Sequence, residues 1–385
     1  MSGRRRVVLL GATGSVGTQA CDVIARHPDR FELVGATAAN NARGLAEVME
    51  RFSVPRGALL EAGVRASTGL ASSVGVGLDA ICDIAALPSD VVCVAITGAA
   101  ALRPTLAAIG AGRTVATATK EVLVMAGELV TRLAAVTGSR ILAIDSEHSA
   151  LWQCLRGERA DTVRRLILTA SGGPFRNRDP ATFGSITAPE ALRHPTWKMG
   201  PKITIDSATM MNKGLEIIEA HFLFEVDYAR IDVLIHPTSI IHSMVEFCDG
   251  ATMAQLGHAD MRVPIALALN DGARLSDVAA AVDPLAVSPL ELLPADPGRF
   301  PAVAVARAAG EQGGVAPAVL NAANEVLVDA FLRGACRFND IVPLVEETVV
   351  TADHVIEPSL EDVVAADAWA RIRATELLTV RSTHH

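Results

Sequence analysis

The chain of 385 residues has 34 lysine and arginine residues against 43 aspartate and glutamate residues, and half of its residues are hydrophobic. The net charge of −9 and the lack of a basic block argue against nucleic acid as a partner, and no apolar run approaches the ~20 residues that cross a bilayer. Six scattered cysteines without a CxxC pair are typical of reduced thiols in a cytoplasmic protein, rather than of disulfides or a zinc site.

The first 145 residues alternate short apolar runs with amphipathic segments. "RRVVLL" leads into a glycine turn and a helix pattern, and "FELVGATA", "DVVCVAIT" and "RTVATAT" repeat the strand pattern. This order predicts an α/β domain with a doubly wound, Rossmann-like parallel sheet. Because the first strand pattern begins at once, we expect no signal or transit peptide before it.

The first turn, in "VVLLGATGSVG", places Gly11, Gly14 and Gly17 between a strand and a helix. Glycines allow close backbone approach, and the helix N-terminus offers N–H donors to a pyrophosphate. The alternative is a glycine turn needed only for packing, but its position in the first strand-to-helix turn favours a dinucleotide site. The end of the second strand, residues 38–41, carries no carboxylate for a ribose hydroxyl, which favours NADP over NAD.

Two acids, Asp145 and Glu147, follow an apolar run in "AIDSEHSALWQ" (143–153). If this stretch is a strand, both side chains point to one side, where two like charges need a cation between them. The alternative is a solvated strand end that opens into a helix, with Ser146 or Asp145 as its cap. The local sequence leaves both interpretations open.

A second polar group lies in "IDSATMMNKGLEIIEA" (205–220). Asn212, Lys213 and Glu216 fall within about one helical turn, and Ser207 lies just upstream, where the helix would begin. Hydroxyl, amide and ammonium groups suit a phosphate monoester, and this leaves Glu216 for another site. The alternative is an exposed helix with a surface lysine–glutamate pair.

The rest of the chain divides by composition. Strand-like runs mixed with loops between 145 and 270 predict an α+β unit, and the five prolines of 271–301 indicate an extended linker. Helical patterns follow, such as "PAVLNAANEVLVDAFLRG" (317–334), which Pro317 opens and Gly334 closes. A small C-terminal helical bundle is predicted.

The motifs together resemble a known family. The 1-deoxy-D-xylulose 5-phosphate reductoisomerase family has, in the same order and at about the same spacing, the motifs "GATGSVG", "ATKE", "IDSEHSALWQ", "ASGGPF", "HPTWKMG", "DSATMMNKGLEIIEAH", "HPTSIIHSMVEF", "AQLGHADMRVPI" and "NAANEVLVDAFL". The resemblance covers nearly the whole chain. It implies an NADPH-binding domain (1–145), a connective catalytic domain with a lid and the dimer contact (146–270), a linker (271–301) and a C-terminal helical bundle (302–385).

The resemblance also implies a reaction. The sugar phosphate 1-deoxy-D-xylulose 5-phosphate rearranges by retroaldol cleavage and aldol rejoining to an aldehyde, which NADPH reduces to 2-C-methyl-D-erythritol 4-phosphate in non-mevalonate isoprenoid synthesis. The implied enzyme is a cytoplasmic homodimer with no membrane partner. Two rival hypotheses are another NADP-dependent sugar-phosphate oxidoreductase and a non-catalytic NADPH-sensing protein. Neither rival needs three carboxylates for a metal.

Site residues follow from the match to the family motifs. A hard divalent ion, Mg²⁺ or Mn²⁺ with Co²⁺ as a further candidate, is implied on Asp145, Glu147 and Glu216. The sugar portion is implied to contact Lys120, Ser146 and Glu147, and the phosphate Ser171, Ser207, Asn212 and Lys213. His194 and Trp197 are implied on the lid, although the bare sequence favours core packing for Trp197. The implied cofactor residues are Gly11, Thr13, Gly14, Ser15, Val16, Ala39, Asn40, Asn41, Thr119, Glu121, Met199 and Gly200.

Some positions depart from the family pattern. Thr119 stands where the family has asparagine, Ala101 where glycine is usual, and Asn40 where a basic residue is frequent, so that Arg43 is the remaining candidate for a 2′-phosphate contact. His236 and His242 share a face of a predicted strand. Because no third ligand has suitable spacing, packing or a dimer surface is favoured over a metal pair.

Overall fold

The computed structural model describes residues 3–61, 74–197 and 199–383. The described chain forms two compact units. The first runs to Val122 and adds Val130–Ser149 and Asp260–Ala280; the second comprises Leu123–Leu129, Ala150–Ala259 and the described residues from Ala281 onward. In the described ranges the helices are all too short or too polar to span a lipid bilayer.

The β-strands, in chain order, are β1 Arg5–Leu10, β2 Phe31–Ala38, β3 Gly57–Leu59, β4 Val74–Val76, β5 Val91–Val94, β6 Thr114–Thr117, β7 Ile141–Ala143, β8 Val163–Ala170, β9 Ile231–Ile235, β10 Ile241–Phe247, β11 Thr252–Leu256 and β12 Leu293–Pro294. The α-helices are α1 Ser15–Arg26, α2 Ala42–Arg51, α3 Leu78–Ala85, α4 Leu102–Gly110, α5 Glu121–Thr137, α6 Ser146–Cys154, α7 Ala188–Ala191, α8 Pro201–Thr209, α9 Met211–Phe224, α10 Arg262–Leu269, α11 Ala302–Gln312, α12 Ala316–Leu332, α13 Ile341–Val350 and α14 Leu360–Thr383.

The first unit is built on a parallel sheet. Within the described residues its strand order is β4-β3-β2-β1-β5-β6-β7, and each neighbouring pair is parallel. Val7, Val8, Leu9 and Leu10 of β1 are all fully buried, which explains their continuous apolar sequence, since a central parallel strand is covered on both faces. The strand order reverses beside β1, where open α/β sheets bind their ligands. The predicted Rossmann-like fold is confirmed.

The second unit combines a mixed sheet with helices. Its described strands follow the order β11-β10-β8-β9-β12, with β8 parallel to β9 and antiparallel to β10. Leu215 and Ile218 of α9 share one hydrophobic core with Leu320 and Leu327 of α12. The C-terminal helices therefore stabilise the helix that carries the predicted phosphate residues.

The helical C-terminal segment agrees with the sequence prediction. Helix α12 begins at Ala316, has Pro317 in its first turn and is followed by Gly334 at φ +76°. Proline suits the first turn because its missing N–H has no intrahelical acceptor there, and glycine suits the left-handed position after a helix.

The unit boundaries differ from the predicted segments, most of all at residues 260–280. Residues 260–280 cluster with the first unit, whereas the sequence analysis divided them between the connective domain and the linker. Helix α10 packs on α1, and the Arg262 guanidinium lies 3.2 Å from an Asp22 carboxylate oxygen on α1. This apolar helix therefore belongs to the first unit rather than to the connective domain.

The strand interpretation of Asp145 and Glu147 is wrong. Strand β7 ends at Ala143, and helix α6 begins at Ser146 with Glu147 in its first turn. The backbone oxygen of Asp145 accepts the hydrogen bond from the Ser149 N–H. These two acids are therefore oriented by the start of a helix and not by the alternation of side chains along a strand.

The glycine turn after β1 yields a stability prediction. An added methyl group at Gly17 would overlap the Gly11 carbonyl oxygen and lie 2.8 Å from backbone atoms of Ala12. We expect Gly17→Ala to reduce the free energy of unfolding by about 2 kcal/mol, the typical cost of overpacking. Denaturant unfolding measured by circular dichroism checks this value.

Gly14→Ala is the matched control. A methyl group at Gly14 would lie 3.4 Å from the nearest backbone atom, in ordinary contact. Its cost should stay within about 1 kcal/mol, the loss expected at a helix N-cap. Equal destabilisation by the two variants would contradict the packing argument.

Candidate active site

The predicted residues of the first unit follow the carboxyl ends of its parallel strands. Because these ends meet at one edge of the sheet, the structure brings the predicted groups to that edge. The groups are Gly11, Thr13, Gly14, Ser15 and Val16 after β1; Ala39, Asn40 and Asn41 after β2; Thr119, Lys120 and Glu121 after β6; and Asp145, Ser146 and Glu147 after β7.

The turn after β1 has the geometry of a phosphate cradle. Gly11 has φ +86°, and an added methyl group would overlap the Ala95 carbonyl oxygen. The N–H groups of Gly11 and Ala12 donate to the Thr37 carbonyl, at 3.1 and 2.8 Å. Gly14 precedes α1 without a side-chain cap, and the first N–H groups of a helix have no intrahelical acceptor. The N–H groups in the first turn of α1, together with the dipole of this helix, fit a pyrophosphate.

A carboxylate that the sequence did not reveal lies beside the end of β2 and belongs to Glu61, which follows β3. Asn40 Nδ2 lies 3.4 Å from Glu61 Oε1, and the Arg43 guanidinium binds Glu47 at 3.1 Å instead of pointing to Asn40. Asn41 caps α2 by accepting from the Gly44 N–H at 2.9 Å. The position of Glu61, 21 residues from Asn40 in the chain, gives no local sequence signal.

The ends of β6 and β7 hold a buried ion pair. The Lys120 ammonium binds a carboxylate oxygen of Asp145, with only 6% and 14% of the two side chains exposed. Ser146 Oγ donates to Glu147 Oε2 at 2.5 Å. Thr119 Oγ1 donates to the Ile96 carbonyl at 2.5 Å, so the threonine that replaces the family's asparagine is bound to the backbone.

In the second unit, His194 joins two predicted phosphate residues. Its Nε2 lies 3.1 Å from Ser171 Oγ and 3.0 Å from Ser207 Oγ. The Gly173 N–H also donates to Ser171 Oγ at 3.1 Å. Two hydroxyls, a ring N–H and a backbone N–H converge, which suits phosphate oxygens.

The backbone of the 194–200 segment folds onto the same histidine. His194 Nδ1 accepts from the N–H groups of Thr196 and Trp197, at 3.2 and 2.9 Å. Because Nδ1 accepts, the proton of the neutral ring lies on Nε2, toward Ser171 and Ser207. Lys198 of this segment lies outside the described residues.

Both flanks of the 194–200 segment are fixed. Before it, a capping box joins Thr187 and Glu190. The Thr187 N–H, with help from the Thr187 hydroxyl and Arg178, lowers the pKa of Glu190 to about 2. After it, Gly200 precedes α8 and Met199 is half-buried. The described residues of the segment, 194–197 and 199–200, thus lie between α7 and α8.

Helix α9 carries the third cluster. Asn212 Nδ2 donates to Glu216 Oε1 at 2.5 Å, and the Lys213 ammonium binds the other carboxylate oxygen. Lys213 and Glu216 are 3% and 0% exposed, so the alternative of a surface lysine–glutamate pair is wrong. Ser207 lies in α8 and not at the start of α9, since Met210 at φ +65° separates the two helices.

The two strand histidines have structural partners. His236 is fully buried, with Nδ1 2.7 Å from the Glu291 carbonyl. His242 Nε2 lies 3.3 Å from the His258 carbonyl, and its ring centroid is 6.1 Å from that of Trp197. His236 follows β9 and His242 lies in β10, so the prediction that they share a face of one strand is wrong, while their burial agrees with packing.

Comparison with known proteins decides the family. Family profiles match residues 7–127, described as 1-deoxy-D-xylulose 5-phosphate reductoisomerase, 141–224, described as its C-terminal domain, and 256–373, described as the DXP reductoisomerase C-terminal domain. The chain is 47% identical to the reductoisomerase of Cutibacterium acnes over 97% of this chain and 98% of the relative, and 49% identical to that of Nocardia farcinica over 97% and 94%. The chain belongs to the 1-deoxy-D-xylulose 5-phosphate reductoisomerase family.

Solved structures of the reductoisomerase family agree in fold. The enzyme of Zymomonas mobilis in complex with NADPH is 41% identical, with a TM-score of 0.91 over 97% of this chain and 99% of that one. A reductoisomerase in complex with NADPH, fosmidomycin and magnesium is 36% identical, with a TM-score of 0.92 over 98% and 99%. The predicted family and fold class are confirmed.

The hydrogen bonds of His194 predict a local effect of mutation. His194→Ala removes the acceptor for the Thr196 and Trp197 N–H groups. We expect amide hydrogen exchange at these two residues to accelerate about tenfold, the effect of one lost hydrogen bond. Exchange followed by NMR on the ligand-free chain measures it.

His194→Asn is the matched control, because its side-chain oxygen restores an acceptor near the Nδ1 position. Exchange at Thr196 and Trp197 should then stay close to that of the unmutated chain, and the Thr187 amide should be unaffected by either change. Acceleration of the same size in both variants would refute the role of His194 Nδ1.

Proposed function

We propose that this chain is an NADPH- and divalent-metal-dependent enzyme that converts 1-deoxy-D-xylulose 5-phosphate into 2-C-methyl-D-erythritol 4-phosphate. The observation that carries the proposal is the match to reductoisomerases at 45–49% identity over nearly the full length of both chains. The rival functions named from the sequence are not favoured, because the match includes both units and every motif group.

The turn after β1 would hold the NADPH pyrophosphate. The proposal assigns it Gly11, Thr13, Gly14, Ser15 and Val16, and extends the adenosine side to Ala39, Asn40 and Asn41. Bound NADPH would supply the hydride for the reduction. Thr119, Glu121, Met199 and Gly200 complete the proposed cofactor residues.

A divalent ion is proposed on Asp145, Glu147 and Glu216. The chemistry of the donors supports it: the carboxylates are oxygen ligands of the kind that Mg²⁺ and Mn²⁺ prefer, and buried carboxylates require a cation. In the structure, lysines serve that purpose, Lys120 for Asp145 and Lys213 for Glu216. The ion would act as a Lewis acid on the substrate oxygens.

If the ion replaces each lysine as the partner of its carboxylate, both lysines gain a role in substrate binding. When Glu216 ligates an ion, Lys213 is released to the phosphate together with Ser171, Ser207 and Asn212. When Asp145 does the same, Lys120 is released to the sugar hydroxyls beside Ser146 and Glu147. Each ammonium would then remain paired with an anion after substrate and ion have bound, as a buried charge requires.

The 194–200 segment would cover the substrate. His194 would orient the Ser171 and Ser207 hydroxyls toward the phosphate, and Trp197 would exclude water from the reacting carbons. Phosphate binding contributes free energy that is not used in bond rearrangement and so can drive closure.

We extend the proposal to a cytoplasmic homodimer with the domain limits that the family implies. All six cysteines are described and free, as in a reducing compartment. Strand β11 is a described sheet edge with Met253 and Leu256 exposed, a surface that a second copy would cover.

Metal dependence gives the first functional test. Glu216→Gln removes one anionic ligand, and we expect the affinity for Mn²⁺ to fall more than tenfold, as the loss of ligand support does in metal sites. Electron paramagnetic resonance of Mn²⁺ measures binding directly, and activity should vanish in EDTA.

Glu246→Gln is the control, since Glu246 is a second-unit carboxylate paired with Arg164 and Arg165. Its Mn²⁺ affinity should be unchanged. Full activity of EDTA-treated enzyme, or equal loss of Mn²⁺ in the two variants, would remove the metal assignment.

Cofactor preference gives a second test. A 2′-phosphate at Asn40 would lie beside the Glu61 carboxylate, while Arg43, the candidate cation, is bound to Glu47. We expect a weak preference for NADPH over NADH. Asn40→Lys should widen it by roughly 1–3 kcal/mol, the free energy of a charge-assisted contact. The measurement is the ratio of kcat/KM for the two cofactors.

Glu61→Gln should shift the same ratio toward NADPH by a smaller factor, because it removes the repulsion between the carboxylate and the 2′-phosphate without adding a positive charge. Asp79→Asn, an exposed carboxylate bound to Arg103 in the same unit, is the control and should leave the ratio unchanged. A constant ratio in Asn40→Lys would mean that the adenosine ribose binds elsewhere.

A further inference from the structure

A buried polar cluster adjoins the proposed phosphate residues. Asp206 directly precedes Ser207 in α8 and is 1% exposed. The Lys202 ammonium lies 2.9 Å from its Oδ2, and Asn324 Nδ2 of α12 donates to its Oδ1 at 2.7 Å. One carboxylate oxygen is thus held by the same helix and the other by a helix of the C-terminal bundle.

This cluster is costly for stability alone. Asp206 lies near the carboxyl end of α8, where the helix dipole disfavours an anion, and a lysine before an acid is the weaker order for an i,i+4 pair. Asn324 is fully buried, and its Oδ1 has no hydrogen-bond partner among the described residues. An apolar pair would avoid both penalties, so the Asp206–Asn324 contact calls for another explanation.

The position of the last turn of α8 determines where Ser207 and the start of α9 lie. Ser207 Oγ lies 3.0 Å from His194 Nε2, and the Ser207 carbonyl oxygen would lie 2.8 Å from a methyl group added to Gly173. Met210 at φ +65° joins α8 to α9, and the Lys213 N–H donates to its carbonyl at 3.1 Å. A shift of this turn therefore moves Ser207 and the start of α9 together.

We propose that Asn324, acting through Asp206, is a positioning residue for the phosphate site. It fixes the last turn of α8 to α12, so that Ser207, Asn212 and Lys213 face one phosphate. The inference rests on the proposed function, in which these side chains bind the sugar phosphate. Because the phosphate contributes binding free energy without reacting, loss of the contact weakens binding of the sugar phosphate and lowers its kcat/KM, while NADPH binding stays almost unchanged.

The test is Asn324→Ala in the full chain. We expect KM for 1-deoxy-D-xylulose 5-phosphate to rise about tenfold, with KM for NADPH unchanged. Asp206→Asn keeps the shape of the side chain and serves as a second variant, in which the same KM should rise at least about threefold. The double variant Asp206→Asn/Asn324→Asp restores one donor and one acceptor across the contact and should return KM toward the original value.

Asn321→Ala is the matched control. Asn321 lies on the same helix, is equally buried and also has an Oδ1 without a described partner, but it donates to Glu325 at 3.2 Å and not to Asp206. It can lower thermal stability without moving α8. An equal KM rise in Asn321→Ala and Asn324→Ala, or no rescue by the double variant, would overturn the inference.

Binding of inorganic phosphate separates this inference from the proposed function. A ³¹P NMR titration should show about tenfold weaker phosphate binding in Asn324→Ala than in Asn321→Ala. If that holds while the unmutated chain leaves 1-deoxy-D-xylulose 5-phosphate unchanged, the proposed function fails and the positioning role stands. Equal phosphate affinity in the two variants overturns the positioning role, whether or not the chain is active.

Discussion

The buried Lys213–Glu216 pair imposes the constraint on which the second unit depends. A charge removed from water needs a partner, and removing one member of such a pair costs far more than the pair contributes. The sequence of α9 meets this need at i and i+3, with Asn212 holding the second carboxylate oxygen. The same need supports the proposal that metal and substrate phosphate bind together, because an ion on Glu216 would free a lysine that then requires an anion. Binding of the two would then be coupled through one pair of side chains.

The first unit meets a different constraint, which is to bring distant residues to one place. A parallel sheet does this without long-range side-chain recognition, because every strand ends at the same edge. Residues as far apart in the chain as Gly11 and Glu147 reach that edge through strand pairing alone. The acids after β7 differ from the glycines after β1 in chemistry, yet the same edge carries both the proposed phosphate donors and two of the proposed metal ligands.

Much of this organisation is readable from the sequence, and the reasons are physical. Buried parallel strands are continuous apolar runs, so β1 and β5 could be predicted, and Pro317 and Gly334 mark α12 through their backbone preferences. The interpretation of 143–147 as a strand was wrong because a short apolar run does not show where the chain leaves the sheet. Glu61 beside Asn40 and Asn324 against Asp206 could not be predicted, since 21 and 118 residues separate the partners and only packing brings them together. The family resemblance implies the roles of the motif residues, while the structure shows their hydrogen-bond and ion-pair partners.

The joint between α8 and α9 unites these constraints. Met210 adopts a left-handed conformation, which costs free energy for any residue that has a side chain. Such strain persists only when the surroundings determine it. Here they do: Asp206 is held from α12, and the core behind α9 includes Leu215 and Leu320. The joint turns the chain so that the carboxyl end of α8, which favours cations, is followed at once by the amino end of α9, which favours anions. Lys202, in the first turn of α8, pairs with Asp206, and Lys213 stands in the first turn after the joint. In the proposed phosphate site, the C-terminal helices would therefore contribute by holding this joint.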